Sequence, residues 1–191
     1  WLANLTTQTP GLRDVAKFIA GMPAQRSIPA FGSSTFRAWF DRREIVNPAG
    51  DPVTLWPDTF NNYFHPETAK AAVAVLEHGG FRVVLPGQIL CCGRPLYDFG
   101  MLDRAKSLLL KTLRVLSKEI DAGIPVVVLE PSCAAVFRDE MLNLFPKDER
   151  ALRLSQQTFL LSGFLRRQAE RFQFPQLNRK AILHGHCQHK S

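Results

Sequence analysis

The sequence predicts an α/β domain built on a three-layer parallel sheet with flanking helices. Apolar, β-branched runs at 53–56, 81–85 and 124–129 are too short for helices and carry no polar alternation, the pattern of strands buried on both faces. Between them lie longer stretches with helical apolar spacing. Strands that alternate with helices imply parallel pairing through right-handed crossovers.

In chain order, Pro10-Gly11 opens a short helix with Leu12, Val15, Ala16 and Ile19 on one face, ending at Gly21. Pro23, Pro29 and the aromatics Phe31, Phe36, Trp39 and Phe40 follow. Residues 1–50 therefore read as a linker or arm that wraps another surface. The first strand is 53–56. Pro66 suits a first helical turn, Ala69, Ala72, Val73 and Leu76 form that helix's apolar stripe, and Gly79-Gly80 stops it. The strand 81–85 leads into a loop over 86–95. Met101, Leu102, Ala105, Leu108, Leu109, Leu113, Leu116 and Ile120 outline one long helix that Gly123 ends. After the strand 124–129, a helix starts near Cys133 and finishes before Pro146. Asp148 caps another, and Ser162 a further one. A fourth strand is expected from Ala181 to Leu183.

The chain has 191 residues, 46% hydrophobic and 21% charged, the makeup of one soluble domain with an ordinary core. No apolar run approaches the roughly 20 residues of a spanning helix. The opening Trp1-Leu2-Ala3 shows no signal peptide pattern. It also lacks Met, and His184-Gly185-His186-Cys187 stops in mid-pattern, so the chain reads as part of a longer one. The formal charge of +7 comes from dispersed Lys and Arg without a basic block, which suits an acidic partner domain better than nucleic acid. Four cysteines without secreted-type spacing point to a reducing cytoplasm. No G-x-G-x-x-G or P-loop follows a strand, so nucleotide binding by this piece is not expected.

Cys91 and Cys92 are neighbours, followed by Gly93. Adjacent cysteines rarely bridge each other. In a tight turn their thiolates can address one metal, and soft thiolates select iron–sulfur clusters, zinc or copper(I). The plainer reading is two buried small hydrophobes. Cys133 follows the third strand, Glu130 ends it, and Asp58 follows the first. Ligands gather at strand ends in α/β sheets, so Asp58, Cys91, Cys92, Glu130 and Cys133 are the candidate set. Each has a bland alternative: Asp58 caps the turn over 61–65, Glu130 faces water, and Arg94 pairs with Asp98 rather than holding an anion. His184, His186 and His189 flank Cys187, a grouping open to zinc or incidental.

With these residues in view, the chain resembles the cysteine-rich CCG domain of iron–sulfur oxidoreductases, the type in the B subunit of heterodisulfide reductase and the iron–sulfur subunit of glycolate oxidase. The match rests on Cys91-Cys92-Gly93, on Glu130-Pro131-Ser132-Cys133 at the place of a Cys-x-x-Cys, on Asp58 at the place of the first Cys, and on His186-Cys187 as the opening of a second motif copy. The resemblance covers about 51–191, and the wording around Trp56 and Gly93 is similar to the C-terminal region of FAD-linked D-lactate dehydrogenase-type fusion proteins. It implies the first half of a duplicated domain, with a first copy over 51–180 and a truncated second copy from 181 to 191. It further implies a cluster held by Cys91, Cys92 and Cys133 with Asp58, Glu130 or Cys187 assisting, FAD in another part of the parent, and ferredoxin-like and FAD-binding domains as partners. The electron acceptor is left open. Such a chain is inactive and cluster-free when isolated, and cytoplasmic or peripheral to the inner membrane through partners. Both carboxylates depart from the pattern, since oxygen ligands suit iron–sulfur sites less well. Zinc binding, or a docking or scaffold role with a decayed motif, is the alternative.

Overall fold

Four short strands carry the fold: β1 (Pro52–Trp56), β2 (Arg82–Val84), β3 (Val126–Val128) and β4 (Thr158–Leu160). They form one sheet in the order β2-β1-β3-β4, and every pairing is parallel. The structure, a computed structural model, describes residues 2–174, 177–182 and 185. The chain divides into two units: Trp1–Arg43 with Thr59–Lys70, and Glu44–Asp58 with Ala71–Ser191.

The first unit holds α1 (Leu2–Gln8), α2 (Leu12–Ile19), α3 (Phe36–Phe40) and α4 (Thr59–Tyr63). Asn4 pins the returning chain through both of its amide atoms. Its Nδ2 donates to the Phe31 carbonyl at 2.7 Å, and its Oδ1 accepts from the Phe31 N–H at 2.8 Å. Thr35 caps α3, accepting from the Ala38 N–H at 3.1 Å. Phe31 stacks on Phe64 at 4.6 Å. α2 matches its expected span, yet its apolar residues Leu12, Val15, Phe18 and Ile19 are exposed. Lys17 is buried instead, donating to the Ala24 carbonyl at 2.9 Å.

α5 (Pro66–His78) begins at its proline, and Gly80 at φ 80° ends it in the left-handed region. Its expected stripe of Ala69, Ala72, Val73 and Leu76 is buried throughout. After β2 come α6 (Arg94–Asp98), α7 (Leu102–Val115) and α8 (Ser117–Asp121). After β3, α9 (Pro131–Ala135), a π turn (Val136–Glu140) and α10 (Met141–Leu144) follow without interruption. α11 (Glu149–Gln157) is capped by Asp148, which accepts from the Arg150 N–H at 3.0 Å, and α12 (Leu161–Arg167) follows β4.

Side chains alternate across the strands. Trp56, Val126 and Val128 pack in one cluster with Leu109, Leu113, Phe137, Leu154, Cys92 and Cys133. On the opposite side, Phe164 of α12 meets Phe159 at 6.1 Å and Phe81 at 5.1 Å. Close packing shows at Gly50, where an added Cβ would stand 2.3 Å from the Gly80 carbonyl oxygen.

Four element expectations are corrected. α12 starts at Leu161, so Ser162 lies inside it and caps nothing. The fourth strand is Thr158–Leu160; Ala181 and Ile182 lie in no strand, and Leu183 is outside the described residues. The run Thr-Phe-Leu is too short for its period to be read, and only pairing with β3 makes it a strand. The single long helix breaks at Leu116 into α7 and α8, although Leu116 and Ile120 stay buried as expected. Leu2–Gln8 and Phe36–Phe40 are helical where an irregular arm was expected, because the cap at Thr35 is a weak signal beside so many aromatics.

Candidate functional site

Parallel register brings the candidate residues to one edge of the sheet. Trp56 pairs with Val128, so Asp58 and Glu130 leave β1 and β3 at the same level. Thr54 pairs with Val84, so the loop carrying Cys91 and Cys92 departs from that edge too. β2 and β3 flank β1 on opposite sides. The winding therefore reverses between β1 and β3, where open parallel sheets form their ligand crevice.

The backbone builds the cysteine loop. Gly93 sits at φ 83°, ψ 7°, left-handed geometry that favours glycine. Its carbonyl starts α6 by accepting from the Leu96 N–H at 3.0 Å and the Tyr97 N–H at 3.1 Å. Its own N–H donates to Cys91 Sγ at 3.4 Å. Cys133 enters from β3 in the first turn of α9, behind Pro131 at the start of the helix. Its thiol donates to Cys92 Sγ at 3.1 Å, and both residues are buried. Cys91 is half-buried, and all three are free thiols.

Hydrogen bonding and burial favour the neutral thiols of Cys91 and Cys92. Contact with Cys133, followed by burial, pushes the Cys92 thiol up to about 12, although Cys91 and the Arg94 N–H act in the other direction. Contact with Cys92, then burial, raises the Cys91 thiol well above the ordinary cysteine range. The shared cause is a hydrogen bond to a neighbouring cysteine sulfur that favours the neutral thiol, reinforced by burial and, to a lesser degree, by thiolate–thiolate repulsion.

The carboxylates are placed differently. Asp58 is buried, with its N–H donating to the Trp56 carbonyl at 3.1 Å. Glu130 caps α9: its Oε1 accepts from the Ser132 N–H at 3.2 Å and the Ser132 hydroxyl at 2.8 Å. Arg94 is in ion pairs, with Nε 2.9 Å from Asp98 and Nη1 donating to Glu140. Cys187, His184, His186 and His189 lie outside the described residues. Sequence reasoning missed Glu140. It stands 46 positions from Arg94, and nothing local marks it.

The donor type suits iron–sulfur ligation, since thiolates hold such clusters. Trp56 adds to the fit: its indole N–H has no partner among the described residues, and it packs in the cluster that contains Cys92 and Cys133. An orphaned buried donor matches an anionic sulfur. Among the described residues, three thiols stand where a [4Fe–4S] cluster takes four, and no group of three ligating side chains is poised around one metal ion.

Residues 56–138 match the family model described as a cysteine-rich domain, CCG. This stretch of the chain is similar to that family. The chain is 28% identical over 155 residues to the C subunit of anaerobic glycerol-3-phosphate dehydrogenase from Escherichia coli, covering 80% of this chain and 39% of that protein. It is 33% identical over 117 residues to lactate utilization protein A of Geobacillus kaustophilus, covering 59% and 47%. To lactate utilization protein A 2 of Bacillus cereus it is 26% identical over 140 residues, covering 71% and 56%. The chain thus spans about two-fifths to just over half of these relatives. No solved structure matches it. No helix among the described residues is long and apolar enough to cross a membrane.

Proposed function

We propose that this CCG domain is an iron–sulfur-ligating, electron-transfer domain of a flavin-dependent 2-hydroxyacid oxidoreductase of the D-lactate or glycolate type. The observation that carries the reading is the meeting of Cys92, from the loop after β2, with Cys133, from the helix after β3, beside the sheet's switch point. The relatives named for lactate utilization support a 2-hydroxyacid substrate, and the relative named for glycerol-3-phosphate dehydrogenation supports only an oxidoreductase setting. Cys91, Cys92 and Cys133 are the assigned ligands; Asp58, Glu130 and Cys187 are secondary candidates, and a second motif copy completes the set. When bound, the cluster takes up and releases electrons one at a time. The chain's own part is to hold three soft donors in a water-poor place. Flavin and ferredoxin-like domains of the parent are the assigned electron source, and the cytoplasm is the assigned setting. In this reading 1–50 is the linker and 51–180 the first copy.

A docking or scaffold role with a decayed motif is favoured by one observation: Glu130, at a motif position, is engaged as a helix cap. Anaerobic reconstitution with ferrous iron and sulfide separates the two readings in the parent chain. The expected result is iron and acid-labile sulfide that fall when Cys91 and Cys92 are both replaced by Ser. Iron content, spectra and electron transfer unchanged in that variant would overturn the ligand assignment.

A further inference from the structure

Arg94 directly follows Cys91-Cys92-Gly93, and its side chain reaches Glu140, the last residue of the π turn beyond Cys133. We propose that Arg94 and Glu140 are positioning residues, whose ion pair ties the Cys91-Cys92 loop to the helix of Cys133 and thereby sets how the two buried sulfurs meet.

Three features carry this. First, Arg94 is held on both sides: Nε lies 2.9 Å from Asp98 and Nη1 donates to Glu140. A guanidinium gripped at two points is a rigid strut rather than a mobile surface charge. Second, Glu140 is only 14% exposed, and its Oε2 is enclosed without a hydrogen-bond partner among the described residues. A half-satisfied buried carboxylate adds little to stability, so its use lies in geometry. Third, a π turn widens a helix locally, often at functional sites. Here it ends on the residue that receives Arg94. The proposal rests on the reading that Cys92 and Cys133 act as one donor pair.

The test reads sulfur geometry without metal. In the 191-residue chain carrying Cys91→Ser, diamide closes a Cys92–Cys133 disulfide. The two thiols give up two protons and two electrons to the azo bond, which becomes a hydrazine, and one S–S bond forms. The closure rate is followed by non-reducing peptide mapping. Arg94→Gln and Glu140→Gln are each expected to slow closure by about tenfold or more, as small misplacements of reacting atoms do. The double variant should be no slower than either single one, the mark of a coupled pair. Arg171→Gln, which removes a different ion pair with Asp51, should leave the rate unchanged. If Arg94→Gln does not fold, Arg94→Lys serves, since an ammonium keeps the charge and loses the fork. A single variant that closes at the parent rate, two effects that simply multiply, or equal slowing by Arg171→Gln overturns the proposal. Because no metal enters the measurement, that failure leaves the iron reconstitution result standing, and the reverse holds too.

Discussion

The sulfurs of Cys92 and Cys133 lie 3.1 Å apart although the residues are 41 positions apart in the chain. That approach depends on three local devices: a left-handed glycine, a helix that opens straight from β3, and a packed aromatic pair beneath them. Each can be removed separately.

Gly93→Ala tests the first. The backbone at φ 83° has room for a Cβ, with nothing nearer than 3.8 Å, so the cost is conformational rather than steric. A loss of about 1–2 kcal/mol is expected, read as a fall of several degrees in the thermal midpoint. An unchanged midpoint would show that the loop relaxes freely.

Glu130→Ala tests the second. If the carboxylate's work in the metal-free chain is capping α9, its removal should cost about 1 kcal/mol. Urea denaturation measures this. No loss at all would indicate that the Ser132 N–H finds another acceptor.

Phe137→Ala tests the third. Its ring meets Trp56 edge-on at 4.8 Å and 84°, and both side chains are almost wholly buried. Truncation should cost roughly 3–5 kcal/mol, and Phe137→Leu clearly less. Equal losses would mean that refilling the space recovers nothing and that the ring itself, with its edge-on contact to Trp56, carries the whole effect.

Alkaline pH gives a fourth expectation. The ordinary thiol value is 9.0, and the folded state pushes Cys92 up to about 12. The folded chain keeps a proton that the unfolded chain releases. This contribution is therefore complete below about pH 9 and declines as pH rises toward 12, by at most about 1.4 kcal/mol per pH unit for this group. Urea midpoints near pH 8 and near pH 10.5 should diverge more for the parent than for Cys92→Ala. Equal divergence would place the titrating groups elsewhere.

Much of the frame was legible because its signals are local and redundant. Pro66 and Gly80 bracket α5, Asp148 caps α11, and β1 to β3 read as short runs dominated by apolar residues. β4 was illegible because three residues carry no period, and its strand character comes from pairing with Val126–Val128. In the site, Cys91, Cys92 and Cys133 stood out by type, and parallel register explains how strand ends bring them to one edge. The roles of Glu130 and Glu140 did not stand out. A carboxylate's use as cap or strut depends on which N–H or guanidinium the folded chain delivers to it. α2 shows the opposite failure: its amphipathic spacing is real, yet its apolar residues face outward, because periodicity records a face without saying what covers it.

Within the π turn, chain length matters more than residue identity at 138 and 139. Arg138 and Asp139 are exposed and free to vary in kind. Deleting either would rotate all that follows by about 100° around the helix axis. Glu140 would swing away from Arg94, and Met141, now fully buried, would turn out of the core. Positions 138 and 139 should accept many substitutions, and the turn should refuse a one-residue gap.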